Sequence, residues 1–152
     1  MKRTSYIAYG SNMDTEQMAY RCPEATLVGA SEIVGYQLLF KGSRTGAYAT
    51  IEKAKGKTVP VLVWEISRSD EARLDRYEGF PTLYYKAILP VAVNGKQEEA
   101  MVYIMDESRP IGKPSQRYYK VIEAAYAKFG FDMSILEQAL EASIGGDDGD
   151  AC

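Results

Sequence analysis

The sequence contains no histidine. That removes Ser-His-Asp and Cys-His catalysis and every zinc site that needs imidazole. An enzyme built from this chain needs a carboxylate, a lysine or a tyrosine as its base. Cysteine is nearly as scarce. Cys22 and Cys152 are too few for a disulfide framework, so a reducing cytoplasm is the expected compartment. Excess positive charge is missing too: 18 basic residues stand against 21 acidic ones, for a net charge of −3. Nucleic acids and anionic membranes are bound by basic faces, so neither is an expected partner. No apolar run approaches the roughly 20 residues that span a bilayer. Lys2 and Arg3 are not followed by the apolar stretch of a signal peptide.

What is present suits one packed domain. The chain has 152 residues, of which 46% are hydrophobic, enough for a single core. We expect that domain to span 1–144 and the Gly/Asp-rich residues 145–152 to form a disordered acidic tail. Thr4 to Tyr9 reads as a first strand. Asp14 caps a helix to about Arg21, with Gln17 placed to answer the cap. Thr26 to Phe40 is rich in β-formers, with bends or bulges at Gly29 and Gly35. Ala47 to Glu52 reads as a strand, Lys53 to Lys57 as a turn, and Val59 to Ile66 as a strand buried on both faces. Ser67 or Ser69 starts a helix that Gly79 stops after Glu78. Asn94-Gly95 joins a hairpin of Tyr84–Val93 and Gln97–Met105, with Pro90 marking an edge or a bulge. Ser115 caps a helix whose apolar stripe is Tyr118, Ile122, Ala125 and Phe129, and Gly130 closes it. A last helix covers Met133 to Ile144, with Ser134 and Glu137 spaced as a capping box. Strands in the middle and helices at the end make the class α+β, with the sheet curled towards a barrel.

Two places stand out chemically. Gly10-Ser11-Asn12 falls between the first strand and the first helix. Such a junction is by default a plain turn. Bare N–H groups after a glycine, close to a helix N-terminus, also make an anion cradle. The loop lacks Gly-Lys-Ser/Thr and is not Gly-x-Gly-x-x-Gly, so a small carboxylate fits it better than a nucleotide. The second place is Glu78. A glutamate at a helix end is ordinarily solvated, but this one precedes Gly79 and the apolar pair Phe80-Pro81. Burial and the negative helix end would both raise its pKa towards that of a general base working near neutrality. Asp75 lies on the same helix beside Arg73 and Arg76, which reads as salt-bridged surface. Cys22 reads as packing, since nothing supplies a histidine to activate it.

Tyr9-Gly10-Ser11-Asn12 after an N-terminal strand, Arg76-Tyr77-Glu78-Gly79 at a helix end, and Pro114-Ser115-Gln116-Arg117-Tyr118-Tyr119-Lys120-Val121-Ile122 occur in an order and spacing that resembles the γ-glutamylcyclotransferase-like family. The resemblance runs from about Ser5 to Phe131. It implies a small β-barrel of mixed strands with helices packed around it. It also implies Glu78 as general base, with Tyr9, Gly10, Ser11, Asn12 and Met13 as the substrate loop; Met13 stands where leucine is common. Tyr84 and Tyr118 would be pocket tyrosines, with Tyr85 competing for the place of Tyr84. Ser11-Asn12, in place of the Tyr-Gly-Thr form, puts the chain nearer the branch acting on γ-glutamyl amino acids than the one acting on γ-glutamyl amines.

The implied reaction is cyclisation of a small γ-glutamyl substrate to 5-oxoproline, with release of an amino acid or amine. No metal or organic cofactor is implied, and the resemblance leaves room for a homodimer. Two other readings stay open. One is a binding module that holds a glutamyl-like carboxylate without turning it over. The other is removal of a protecting γ-glutamyl group in a biosynthetic pathway.

Overall fold

The computed structural model describes residues 3–151, with side chains described for 3–144. The tail expected over 145–152 lies outside those described side chains. The chain order is β1 (Thr4–Ala8), a 3₁₀ turn (Ser11–Met13), α1 (Thr15–Arg21), β2 (Thr26–Lys41), β3 (Tyr48–Ile66), α2 (Arg68–Glu78), β4 (Tyr84–Val93), β5 (Lys96–Met105), α3 (Gln116–Phe129) and α4 (Met133–Ala151). This is the expected α+β class. Among the described residues no helix is long and apolar enough to cross a membrane.

The five strands form one sheet in the order β2-β3-β1-β5-β4. β1 is central. It runs antiparallel to β3, with Tyr6 opposite Trp64, and parallel to β5, with Tyr6 opposite Met101. The parallel step makes the sheet mixed. The order is open rather than a closed ladder: β2 and β4 are its edges. They are nevertheless brought together. Asn94 Nδ2 donates to Val28 O at 3.0 Å, and Ser31 Oγ donates to Ala92 O. The barrel suggested by the sequence is therefore a curled sheet whose two edges meet through side chains. Pro90 lies on edge strand β4, where its missing N–H costs no ladder bond.

β2 and β3 are longer than expected. The turn anticipated at Lys53–Lys57 is an irregularity within one continuous strand. Between the Val34–Thr58 and Tyr36–Lys53 pairs, residues 54–57 face Gly35 alone. Gly35 (φ +86°) and Gly56 (φ +81°) absorb the mismatch in left-handed conformations, so pairing resumes on the far side.

The helix starts follow side-chain caps. Ser67, not Ser69, begins α2: its hydroxyl accepts from Asp70 N–H (3.1 Å), and Asp70 answers Ser67 N–H (3.3 Å). Asp14 caps α1, but Gln17 does not answer it; Gln17 Oε1 is buried without a partner. Asp132, rather than a Ser134–Glu137 box, receives the N–H and hydroxyl of Ser134. Ile122 and Ala125 of α3 are buried as expected, but Tyr126 takes the core place foreseen for Phe129. Phe129 stacks on Phe131 instead. Leu74, Ile122, Tyr126 and Leu136 are fully buried and anchor the helices on the sheet.

Candidate active site

β1 ends at Ala8, and the chain turns at Gly10 into the 3₁₀ turn. Met13 N–H donates to Gly10 O (3.0 Å) and Asp14 N–H to Ser11 O (3.0 Å). The N–H groups of Ser11 and Asn12 precede the first bond of this turn, so the turn itself leaves them unused. A Cβ at position 10 would lie 3.3 Å from both Ala49 Cβ and Tyr118 Oη. Glycine is thus the residue that lets the loop pass this close to the tyrosine hydroxyl.

α2 enters the same region from its C-terminal end. Gly79 takes the left-handed conformation (φ +67°) that ends the helix, leaving Glu78 as its last residue. Beside the loop it lines a cavity of about 240 Å³. Tyr9, Gly10, Ser11, Asn12, Tyr84 and Tyr118 line this cavity as well. So every candidate residue named from the sequence meets here except Met13. Met13 is fully buried, its N–H is taken by Gly10, and it supports the loop from beneath. Tyr85 is exposed and outside the cavity, which leaves the place to Tyr84.

Glu78 is held in an unusual electrostatic state. Asn12 Nδ2 donates to its Oε2 at a long 3.5 Å. It forms no ion pair among the described residues. Burial raises its pKa from the ordinary carboxylate value to about 7, against a smaller lowering by the Arg21 guanidinium. A carboxyl group poised there can take up and return a proton near neutrality.

The tyrosines divide by what their hydroxyls are doing. Tyr9 donates to Tyr103 O (2.6 Å) and Tyr84 donates to Ala49 O (2.7 Å). Their protons are committed to the scaffold. Tyr118 accepts from Ala49 N–H (3.0 Å), and Tyr6 accepts from Asn12 Nδ2 (2.8 Å). Each of these two retains a proton to give. Burial, followed by the charge of Glu78, pushes Tyr6 well above its ordinary pKa, and burial does the same for Tyr118. Both stay neutral donors. Tyr48 and Tyr77, about half-exposed, stand at the rim.

Sequence reasoning passed over Tyr6, Tyr48, Tyr77, Tyr103 and Arg21. Tyr6 was read only as part of the first strand, and Arg21 only as the end of the first helix. The Asp75 reading needs a correction of partners. Arg73 pairs with Asp70 (3.1 Å), whereas Asp75 takes Lys86 (2.9 Å) and the Tyr103 hydroxyl (2.6 Å). Cys22 is packing, as expected: its thiol faces Asp70 O, and burial pushes it up to about 12.

The family model "Gamma-glutamyl cyclotransferase, AIG2-like" matches residues 6–124, from the central strand into the Tyr118 helix. The chain belongs to this family. Gamma-glutamylcyclotransferase of Homo sapiens is 35% identical to it over 128 residues, 77% of this chain and 66% of the relative. The Bos taurus protein of the same name is 33% identical over 129 residues, with the same two coverages. The chain thus spans about two thirds of the length of these relatives. Among solved structures, one named gamma-glutamyl cyclotransferase superposes with a TM-score of 0.81 at 27% identity, covering 91% of this chain and 86% of its own. Family and fold agree with the resemblance read from the three sequence segments.

Proposed function

We propose that this protein is a γ-glutamylcyclotransferase, converting a γ-glutamyl amino acid to 5-oxoproline and the free amino acid, with Glu78 as general base. The substrate's α-amine attacks its own γ-carbonyl carbon. A carbon–nitrogen bond forms, closing a five-membered ring, and the γ-amide carbon–nitrogen bond breaks. Nucleophile and electrophile share one molecule, so the effective concentration is intrinsically high. What the amine must do is lose a proton. Glu78 accepts it and returns it to the leaving nitrogen. The N–H groups of Ser11 and Asn12 hold the substrate carboxylate, and the Tyr118 hydroxyl donates to oxygen of the reacting amide.

The observation that carries this reading is the state of Glu78: a buried carboxyl raised to about 7, facing the cavity between the loop and Tyr118. A site that only bound an anionic ligand would gain nothing from a second negative charge. The test is to incubate the protein with γ-glutamyl amino acids, γ-glutamyl amines and glutathione and follow 5-oxoproline by mass spectrometry. Glu78→Gln keeps the size of the side chain and cannot take the proton. It should lose about 10²- to 10⁴-fold in turnover, the share general-base catalysis contributes, while still binding 5-oxoproline. Binding of 5-oxoproline without turnover of any substrate would make the site a binding module.

A further inference from the structure

Arg21 lies outside the cavity, yet it governs the polarity of the site. Its Nη1 donates to Asn12 Oδ1 and, at 3.4 Å, to Ser11 Oγ. Its guanidinium carbon stands 3.8 Å over the Tyr77 ring centroid, which fixes the plane of the fork. A guanidinium has donors and no acceptor. Asn12 must therefore turn its oxygen towards Arg21. Its NH₂ then has to face the other way, where it meets the Tyr6 hydroxyl at 2.8 Å and Glu78 Oε2 at 3.5 Å. Because Tyr6 is obliged to accept from Asn12, its own proton is left for the cavity that it lines. One cation thus sets the direction of every bond in the series Arg21, Asn12, Tyr6. We infer that Arg21 is a positioning residue that holds the Asn12 amide in one orientation, so that Tyr6 presents its hydroxyl proton to the substrate as a catalytic donor.

This inference rests on the cyclotransferase reading for the role of Tyr6, but the orientation itself is a property of the free protein. Without Arg21, Asn12 is free to rotate its amide by half a turn. The oxygen would then face Glu78 and receive the Tyr6 proton, withdrawing it from the cavity. Loss of the guanidinium charge would also raise the Glu78 titration further, since Arg21 is the cation acting against burial there. The groups facing Glu78 from the surrounding elements are Arg21 of α1, Tyr6 of β1, Tyr9, Tyr84 of β4, Tyr103 of β5 and Tyr118 of α3. Arg76 and Tyr77 of α2 line the same cavity. Tyr6, Tyr9, Tyr84, Tyr103 and Tyr118 titrate far above neutrality, so Arg21 is the cation that acts on the carboxyl.

Two readouts test the inference. The first needs no turnover. In protein carrying ¹³C-labelled glutamate, the Glu78 carboxyl resonance, assigned by its loss in Glu78→Gln, should titrate near 7. In Arg21→Met its midpoint should move to higher pH. In Arg21→Lys, which keeps a cation with donors only, it should return towards the wild-type value. The second is a double-mutant cycle on 5-oxoproline formation. Tyr6→Phe and Arg21→Met should each lose on the order of 10²-fold, the scale of removing one oxyanion donor. Measured at a pH above the Glu78 midpoint of each variant, together they should lose about as much as either alone, because both remove the same proton. Asn12→Asp serves where Arg21→Met fails to fold. It leaves α1 untouched and turns the Tyr6 proton inward, so adding Tyr6→Phe to it should cost nothing more. An unmoved Glu78 midpoint in Arg21→Met, or costs for Tyr6→Phe that multiply fully with Arg21→Met or with Asn12→Asp, would overturn the inference. No turnover in the wild type would instead remove the cyclotransferase reading, and with it the catalytic role of Tyr6, while the titration still decides the role of Arg21.

Discussion

Asp75 and Glu78 sit three residues apart on α2, near its end and on neighbouring parts of its surface. Both are carboxylates, both are partly buried, and they have opposite fates. Asp75 is completed by its surroundings: Lys86 Nζ lies 2.9 Å away and the Tyr103 hydroxyl donates to it at 2.6 Å. Glu78 is left incomplete, with one long contact from Asn12 and a pKa raised to about 7. The difference teaches that position on the helix does not make a base. The neighbours do: they bury Glu78 with no ion pair among the described residues, while they give Asp75 a lysine and a phenol.

The largest effect expected from this contrast is on turnover. Glu78→Gln should lose about 10²- to 10⁴-fold. Asp75→Asn, three residues away, should stay within a few-fold of the wild type. Equal losses measured in the 5-oxoproline assay would dissolve the distinction between the two carboxylates.

The next effect is on pH dependence. Under the proposed mechanism the deprotonated form of Glu78 is the active one, so kcat/KM should fall about tenfold per pH unit below pH 7. The limb should keep its place across substrates whose α-amines differ in pKa. A limb that follows the amine would belong to the substrate.

Smaller changes are expected from the tyrosines, which repeat the contrast between committed and uncommitted groups. Tyr118→Phe removes a hydroxyl that still has a proton to give, and it leaves the Ala49 N–H without its acceptor. Turnover should drop about tenfold or more, the scale of one good hydrogen bond in a site. Tyr84→Phe removes a hydroxyl already committed to Ala49 O. It should lower stability by about 1 kcal/mol in denaturant melts and change turnover less than Tyr118→Phe does.

The smallest effect separates the two carboxylates by stability. The folded-state pKa of Glu78 is raised, so its favourable contribution is complete below the ordinary carboxylate pKa and is lost as pH rises through about 7. Glu78→Gln should therefore gain in melting temperature relative to the wild type between pH 5 and pH 8. Asp75→Asn loses part of a half-screened ion pair, worth about 1 kcal/mol or less, and should show no gain of that kind.

How much of this was legible in the sequence differs residue by residue. The strand ending at Gly10 and the helix ending at Gly79 were readable because glycine and capping chemistry act locally. Glu78 was readable because a helix end beside Phe80-Pro81 has few ways to stay solvated. Arg21 was not. Its last-turn position has a sufficient local explanation in the helix dipole, and its reach to Asn12 exists only once the 3₁₀ turn folds back beside α1. Tyr6 hid in a strand whose neighbours are apolar. The β2–β3 irregularity was read as a turn because glycine and lysine at 53–57 carry the same local signal whether the ladder stops or merely buckles. Met13 was assigned to the substrate loop by its place in the chain, but the geometry of a three-residue turn sends its N–H back to Gly10.

Seven tyrosines, Tyr6, Tyr9, Tyr48, Tyr77, Tyr84, Tyr103 and Tyr118, line one cavity, and the chain has a single tryptophan. That tryptophan, Trp64, is the direct cross-strand partner of Tyr6, close enough for side chains on one face of a sheet to touch. The site is thus also an optical device. Light absorbed by the phenols around the cavity has a nearby indole to pass to, and through Tyr6 that indole stands one cross-strand neighbour away from whatever the cavity holds.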